Sequence, residues 1–472
     1  MADLAIWLDQ HPVGWLTHDP ATNRFSFAYT RQWQDHPRSF PISPCLPFTP
    51  DAGQTAESHS AAVRQFFENL LPEGEALDHA AHANGISKSN LVGLMVALGK
   101  ETAGALRVTA ATVEAAQLAG TTVDHGEPAA IGSGPASETE KVSGQQPGLR
   151  LVTPEELSAR IRDRANVPFS VWDGKVRLSI AGYQDKIAVY EHGGSWFLVD
   201  GPRLASTVIV KPMPARPQLQ SLPANEFMCM QLAQRVGLNV PQTRLVYVPE
   251  PVLLVSRFDR SEVRGRVERM HLIDGCQALG LSVAMKYERP YGDGEHVRNV
   301  RDGVTYAKLF HLLDQSAVPA RDRLALLRWV IFQVLIGNTD AHGKNLSFFF
   351  DSTGLTLAPA YDLVCMEALG YDSLHDSYAM AIGDAFTVEE LTPFQWASFA
   401  VECGLPLRLV SQELRQLSAR VMDMLPDVVV DVCKAGVPEE IASRIAEFVG
   451  ANARRWVEHA PEIARLRASD VK

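Results

Sequence analysis

Two hydrophobic periods follow one another along this chain, and the change between them limits what it can fold into. Between residues 176 and 256 the apolar residues fall in short β-branched or aromatic runs: Val176–Ala181, Ile187–Tyr190, Trp196–Val199, Val208–Val210, Arg244–Val248 and Val252–Ser256. Gly182, Gly193-Gly194 and Gly201-Pro202 punctuate the first four, which predicts an antiparallel meander. A helix is predicted over Asn225–Val236, with Phe227, Met230, Ala233 and Val236 near one face and Gly237 as its stop. From about Thr305 the spacing becomes helical. Leu324, Leu327, Ile331, Val334 and Leu335 recur at three- and four-residue steps, and Gly337 closes that helix. A β-rich part leading into a helical part is an α+β, two-lobed plan with its functional residues between the lobes.

Ahead of these, residues 1–109 also read as α+β. Phe25, Phe27 and Tyr29 alternate as in a strand, and Val63 to Leu71 carries a helical apolar face that Pro72 ends. No chemistry is evident there. Residues 110–148 are rich in Ala, Gly, Ser, Thr and Pro and poor in large apolar side chains. Such a segment cannot bury enough surface to offset its ordering entropy, so a linker or surface excursion is expected. The remaining units are then 149–258 and 259–472, consistent with 472 residues making two to four compact parts.

Charge and composition exclude several classes. With 44 Lys and Arg against 55 Asp and Glu, the chain is acidic by 11 charges and is a poor stand-alone DNA binder. The start, MADLAIWLDQ, lacks the basic region of a secretory leader. The best apolar stretch, Trp329–Gly337, is far short of the roughly 20 residues a membrane span needs. Cys45, Cys229, Cys276, Cys365, Cys403 and Cys433 form no CxxC pair, so free thiols in a reducing, cytoplasmic setting are expected.

The chemistry concentrates in Gly337-Asn-Thr-Asp-Ala-His-Gly-Lys-Asn345, a polar loop between an apolar helix and a strand. Asp340 and Asn345 stand at the separation that phosphoryl-transfer enzymes of the protein-kinase type use. One acid must face the attacking hydroxyl while an amide oxygen, a loop turn later, faces a magnesium ion on the phosphates. A hairpin, Phe348–Phe350 with Leu355–Ala358, then leads to Tyr361-Asp362, a second acid where such a site needs its main magnesium ligand. Lys211 ends the run Thr207–Lys211 and precedes a helix carrying Glu226, the order of a phosphate-gripping lysine and its glutamate partner. The turn Ala181-Gly-Tyr-Gln-Asp-Lys186 has one glycine and matches neither common phosphate-loop pattern.

Taken as an ordered set, Ser179–Lys186, Val208–Pro212, Asn225-Glu226, Gly237–Pro241, Ser256–Arg260, Cys276–Gly280, Gly337–Asn345 and Pro359–Asp362 resemble the HipA family of bacterial serine/threonine kinase toxins. Phe66–Pro72 is similar to that family's N-terminal subdomain. The resemblance implies a two-lobed protein-kinase-like fold, its β-rich lobe at 149–258 and its helical lobe at 259–472, behind an N-terminal subdomain at 1–109. ATP and Mg²⁺ are the implied cofactors. Asp340 would be the catalytic base, and Asn345 and Asp362 would hold the metal. Lys211 would bind the phosphates, with Ala181, Gly182, Tyr183, Gln184, Asp185 and Lys186 forming a loop over them. Ser256, Arg257 and Phe258 would be the adenine hinge, while His342, Gly343, Lys344 and Tyr361 complete the pocket. Ser179 would be an autophosphorylation site, and a phosphate there would add about −1.5 to −2 charges beside a loop meant for ATP's own anions.

The implied partners are a HipB-like helix-turn-helix antitoxin, DNA only through that antitoxin, and a protein substrate in translation such as an aminoacyl-tRNA synthetase. No membrane partner is expected. Arg269–Gln277 departs from the family's usual run, in a region that resembles the activation segment. Two other readings stay open at the level of sequence: a small-molecule or lipid kinase, and a regulatory antitoxin-binding co-repressor with a vestigial site.

Overall fold

A computed structural model of the chain describes residues 2–99, 101–111, 148–177, 184–199, 204–263, 266–369 and 377–471. Ser179, Ala181, Gly182, Tyr183, the Gly201-Pro202 turn and nearly all of the 110–148 excursion lie outside the described residues.

Four strands, β1 (Ala2–Leu8), β2 (His11–Asp19), β3 (Arg24–Tyr29) and β4 (Leu106–Ala110), form an antiparallel sheet in the order β3-β2-β1-β4. The expected alternation holds: Phe25 and Phe27 turn inward while Arg24 and Ser26 face out. The helix Ala56–Glu68 buries Val63, Phe66 and Phe67 against this sheet, its start fixed by a reciprocal cap between Thr55 and Ser58.

The second sheet has six strands in the order β11-β12-β10-β8-β9-β5. They are β5 (Leu149–Val152), β8 (Ile187–His192), β9 (Ser195–Val199), β10 (Val208–Pro212), β11 (Thr243–Tyr247) and β12 (Pro251–Ser256). Between β5 and β8 lies a two-residue hairpin of β6 (Val171–Trp172) and β7 (Lys175–Val176). Of the strand expected at Val176–Ala181, Val176 and Arg177 are described, Val176 ending β7, and the rest lies outside the described residues.

The sheet is antiparallel but is not a meander, because β10 pairs with β8 rather than β9. A meander would have left Val208-Ile-Val210 beside the less buried β9. The observed crossover seats this apolar run at the centre, against Ile187 and Val189 on one side and the buried Leu253 and Leu254 on the other.

The helix Leu222–Arg235 begins three residues before the expected Asn225, because Pro223 is pre-set for a first helical turn. Its Phe227, Met228 and Leu232 enter the same core as the helical lobe. That lobe is built around Pro319–Ile336, buried for most of its length and flanked by the long helices Leu407–Lys434 and Glu439–Ile463. Gly337 ends the central helix in the left-handed region at φ 63°, where a Cβ would lie 2.6 Å from the Phe448 ring. No helix among the described residues is long and apolar enough to cross a membrane.

Joining the lobes are the hairpin of β13 (Arg260–Val263) and β14 (Arg266–Arg269) and a three-stranded sheet, β15-β16-β17. Its strands are Leu272–Asp274, Ser347–Asp351 and Gly354–Leu357. Arg269–Gln277, the run that departs from the family's usual one, supplies β14's end, β15 and the capped start of the helix Gly275–Leu279. It is a fixed structural floor, because Leu272 and Ile273 pair with Phe349 and Phe348.

Candidate active site

Between β10 and β12 on one side and β16 with its preceding loop on the other lies an open cleft. Lys211 reaches it from the central strand β10, where ladder pairing with Leu253 fixes its direction. Its Nζ donates to both Glu226 oxygens at 2.7 and 2.9 Å and to Asp362 Oδ1 at 2.7 Å. Burial alone would lower the Lys211 pKa, yet Asp362 and Glu226 outweigh it and raise it. Burial would likewise raise Asp362, but Lys211 and Lys186 hold its carboxyl down at about 2. Lys186 has the opposite fate: burial, then the neighbouring Lys211 charge, brings it down to about 8.

Asp362 adopts φ 58°, uncommon for a residue with a side chain. In this conformation its carbonyl accepts from Asn338 Nδ2 at 3.2 Å while its carboxylate faces Lys211. Backbone strain of this kind persists where the surroundings over-determine it, and it concentrates at functional sites.

The loop after Gly337 is held by its own amides. Asn338 Oδ1 accepts from Asp340 N at 3.2 Å, and Asn345 Nδ2 donates to the Asp340 carbonyl at 2.8 Å. The second bond ties together the two residues whose five-residue spacing drew attention, and Asn345 itself lines the cleft beside Asp362. Asp340 stands next to the cleft rather than in its lining, with its Oδ1 accepting from Tyr287 Oη at 2.8 Å. His342 lines the cleft; burial, with Lys286 nearby, pushes its pKa well down and keeps the ring neutral.

At the other end Ser256, Arg257 and Phe258 leave β12 and enter the lining, with the Phe258 ring 5.6 Å from Tyr361. Tyr361 Oη donates to the Lys344 carbonyl at 2.7 Å and pairs with Ser347 Oγ at 2.7 Å. The Arg257 side chain points elsewhere, into Asp259, Ser206 and the Thr102 carbonyl. Gln184 and Asp185 lie half-buried outside the lining. Gly343 also lies outside, because a Cβ there would meet Val304 at 2.5 Å.

Residues 1–109, where the sequence offered no chemistry, supply Asn69, Leu70, Glu73 and Ala103 to the cleft wall. Lys344 Nζ is shared among Asn69 O at 3.0 Å, Asn69 Oδ1 at 2.9 Å and Asp274 Oδ2 at 2.5 Å. This lysine thus pins the N-terminal module and β15 to the loop. The only signal in the sequence was the run Phe66–Pro72, which carried resemblance without a stated role.

Two family descriptions match the chain: the HipA N-terminal domain over residues 4–109 and the HipA-like C-terminal domain over residues 178–425. The serine/threonine-protein kinase toxin HipA of Shewanella oneidensis is 35% identical over 439 residues, covering 92% of this chain and 91% of its own. The Y4mE protein of Sinorhizobium fredii is 33% identical over 440 residues, covering 91% of this chain and 94% of its own. Among solved structures, the Shewanella oneidensis HipA of a complex with HipB and operator DNA superposes with a TM-score of 0.80 at 32% identity, over 98% of this chain and all of that one.

Proposed function

The chain belongs to the HipA family, and from that premise we infer that it is an ATP-dependent serine/threonine protein kinase, the toxin of a toxin–antitoxin pair. The observation that carries this reading is the convergence of Lys211, Glu226 and Asp362, the outer two 151 residues apart, with Asn345 around one cleft.

The residues present fit the nucleotide and its metal. Aromatic side chains face one end of the cleft and two lysines the other, matching a base at one end and phosphates at the other. Asp362 and Asn345 offer oxygen donors, the ligand type that Mg²⁺ takes alongside phosphate oxygens and water. Bound Mg-ATP supplies the phosphoryl group and the metal charge that neutralises it. Lys211 offsets further charge on the phosphates, and Glu226 holds Lys211 in place. Asp340 orients the acceptor hydroxyl and takes its proton. The backbone at Ser256–Phe258 pairs with the base. Ser179 is the acceptor of an inactivating autophosphorylation in this reading. The substrate is a protein of translation such as an aminoacyl-tRNA synthetase, and a helix-turn-helix antitoxin is the partner, with the reaction in the cytoplasm.

General-base transfer is typically worth about 10²–10⁴-fold. Asp340→Ala should lose at least about 10²-fold of phosphate transfer from labelled ATP while calorimetry finds ATP affinity within a few-fold of the parent. Full activity in that variant refutes the assignment. Label appearing on a small molecule of the lysate, with none on protein, refutes the protein substrate.

A further inference from the structure

We propose that Tyr287 is a positioning residue for Asp340, holding one carboxylate oxygen so that the other is presented to the acceptor hydroxyl; this rests on the reading of Asp340 as the base. Tyr287 Oη lies 2.8 Å from Asp340 Oδ1 across 53 residues of chain. Burial, followed by the Asp340 charge, raises the phenol's pKa, so it stays protonated and is the donor of this bond.

Tyr287 is held from several directions. Its ring meets the edge of His342 at 5.1 Å and 87°, in the same loop as Asp340. On its N-terminal side, the Lys286 carbonyl accepts from Gly343 N at 2.9 Å, and Lys286 Nζ pairs with Glu73 of the cleft wall at 2.7 Å. On its C-terminal side, Glu288 N donates to the Ala379 carbonyl, and Ala379 N donates to the Thr339 carbonyl, both at 2.9 Å. Gly303 packs against this strap so closely that a Cβ would lie 1.8 Å from the Tyr287 carbonyl oxygen. Residues 286–288 therefore grip the loop at 339, 340 and 343. Within this strap, the phenol is the group that reaches the Asp340 carboxylate. Among the described residues, Glu73, Lys286 and His342 are charged or titratable groups near the pair.

A hydrogen bond to an ionised carboxylate favours the charged form and limits the rotamers of the group. Tyr287→Phe keeps the aromatic ring and removes the hydroxyl that makes that bond. It should lower kcat by about 10–100-fold while leaving KM for ATP within about twofold. An unchanged kcat overturns the proposal, as does a rise in KM for ATP with kcat intact. In an Asp340→Ala background the same substitution should add less than about twofold, and a full additional loss also overturns it. If Asp340→Ala alone is fully active, the base assignment itself fails. If Asp340→Ala is inactive and Tyr287→Phe is normal, only the positioning role falls.

Discussion

At one end of the cleft Lys211 stands between Glu226 and Asp362; at the other, behind Ser256 and Phe258, three arginines share two acids. There Asp259 accepts from Arg257, Arg260 and Gly104 N, while Glu101 takes Arg269 at 2.7 Å and lies 3.4 Å from Arg257. Both networks are ion pairs removed from water, yet they differ in what they leave available. The arginine set is closed: Arg257 and Asp259 side chains are 2% and 6% exposed, and neither Asp259 oxygen faces the cleft without an internal donor. The lysine set is open on one side, with the Asp362 side chain 34% exposed. Guanidinium forks suit permanent, planar pairing, and an ammonium suits a point charge that can share partners with a ligand. One end therefore joins the N-terminal module to the end of β12, and the other leaves a carboxylate open to the cleft.

The contrast predicts that damage to the first end shows in folding and damage to the second in activity. The largest effect is expected for Asp259→Ala, which strands Arg257 and Arg260. Against burial, those two arginines hold the Asp259 carboxyl far below the usual carboxylate range, so the pair is tightly coupled. Breaking it should cost about 3–5 kcal/mol in chemical denaturation, with the remaining folded protein keeping phosphate transfer within about tenfold. A loss of activity without a loss of stability would break the distinction.

Next comes Lys211→Met, expected to lower phosphate transfer by about 10²–10³-fold. Its denaturation midpoint should move less than that of Asp259→Ala. Burial already pushes the Glu226 carboxyl up, and it can take a proton once the lysine is gone. An equal shift in midpoint would show the two networks to be alike.

The smallest effect sharpens the picture of the module interface through pH. His271 is buried there, with its ring Nε2 2.8 Å from the Ile42 carbonyl, and burial brings its pKa down to about 4. The fold holds the neutral ring. As pH falls from about 6.5 to 4, the unfolded chain binds a proton that the folded chain does not, so stability is full above that window and declines through it. The decline from this group reaches the order of 3 kcal/mol. His271→Gln should flatten the unfolding free energy between pH 7 and 4, and an unchanged slope would remove His271 as its source.

Much of this architecture was legible in the sequence, and the parts that were not share a cause. Helix ends at Gly337 and Gly237, the hairpin around residues 351–354 and the inward set Phe25 and Phe27 follow from local periodicity and turn chemistry, which neighbours in the chain settle. Sheet order did not follow. Whether β10 joins β8 or β9 depends on which faces are covered, a property of helices elsewhere in the chain. Asp340, Asn345, Lys211, Glu226 and Asp362 could be singled out because spacing and residue type limit their roles. Tyr287, Asn69 and Glu73 could not. A tyrosine, an asparagine and a glutamate in unremarkable surroundings carry no local mark of the loop they touch.

The sequence by itself determined where several strands and helices begin and end, and that a β-rich part leads into a helical one. Tertiary structure alone decided that the N-terminal module walls the cleft, that Leu272 and Asp274 of β15 line it beside β16, and that Tyr287 bonds Asp340. The physical reason is range. Backbone propensity and hydrophobic period act over a few residues, whereas a hydrogen bond between groups 53 or 151 positions apart exists only after the chain has closed on itself.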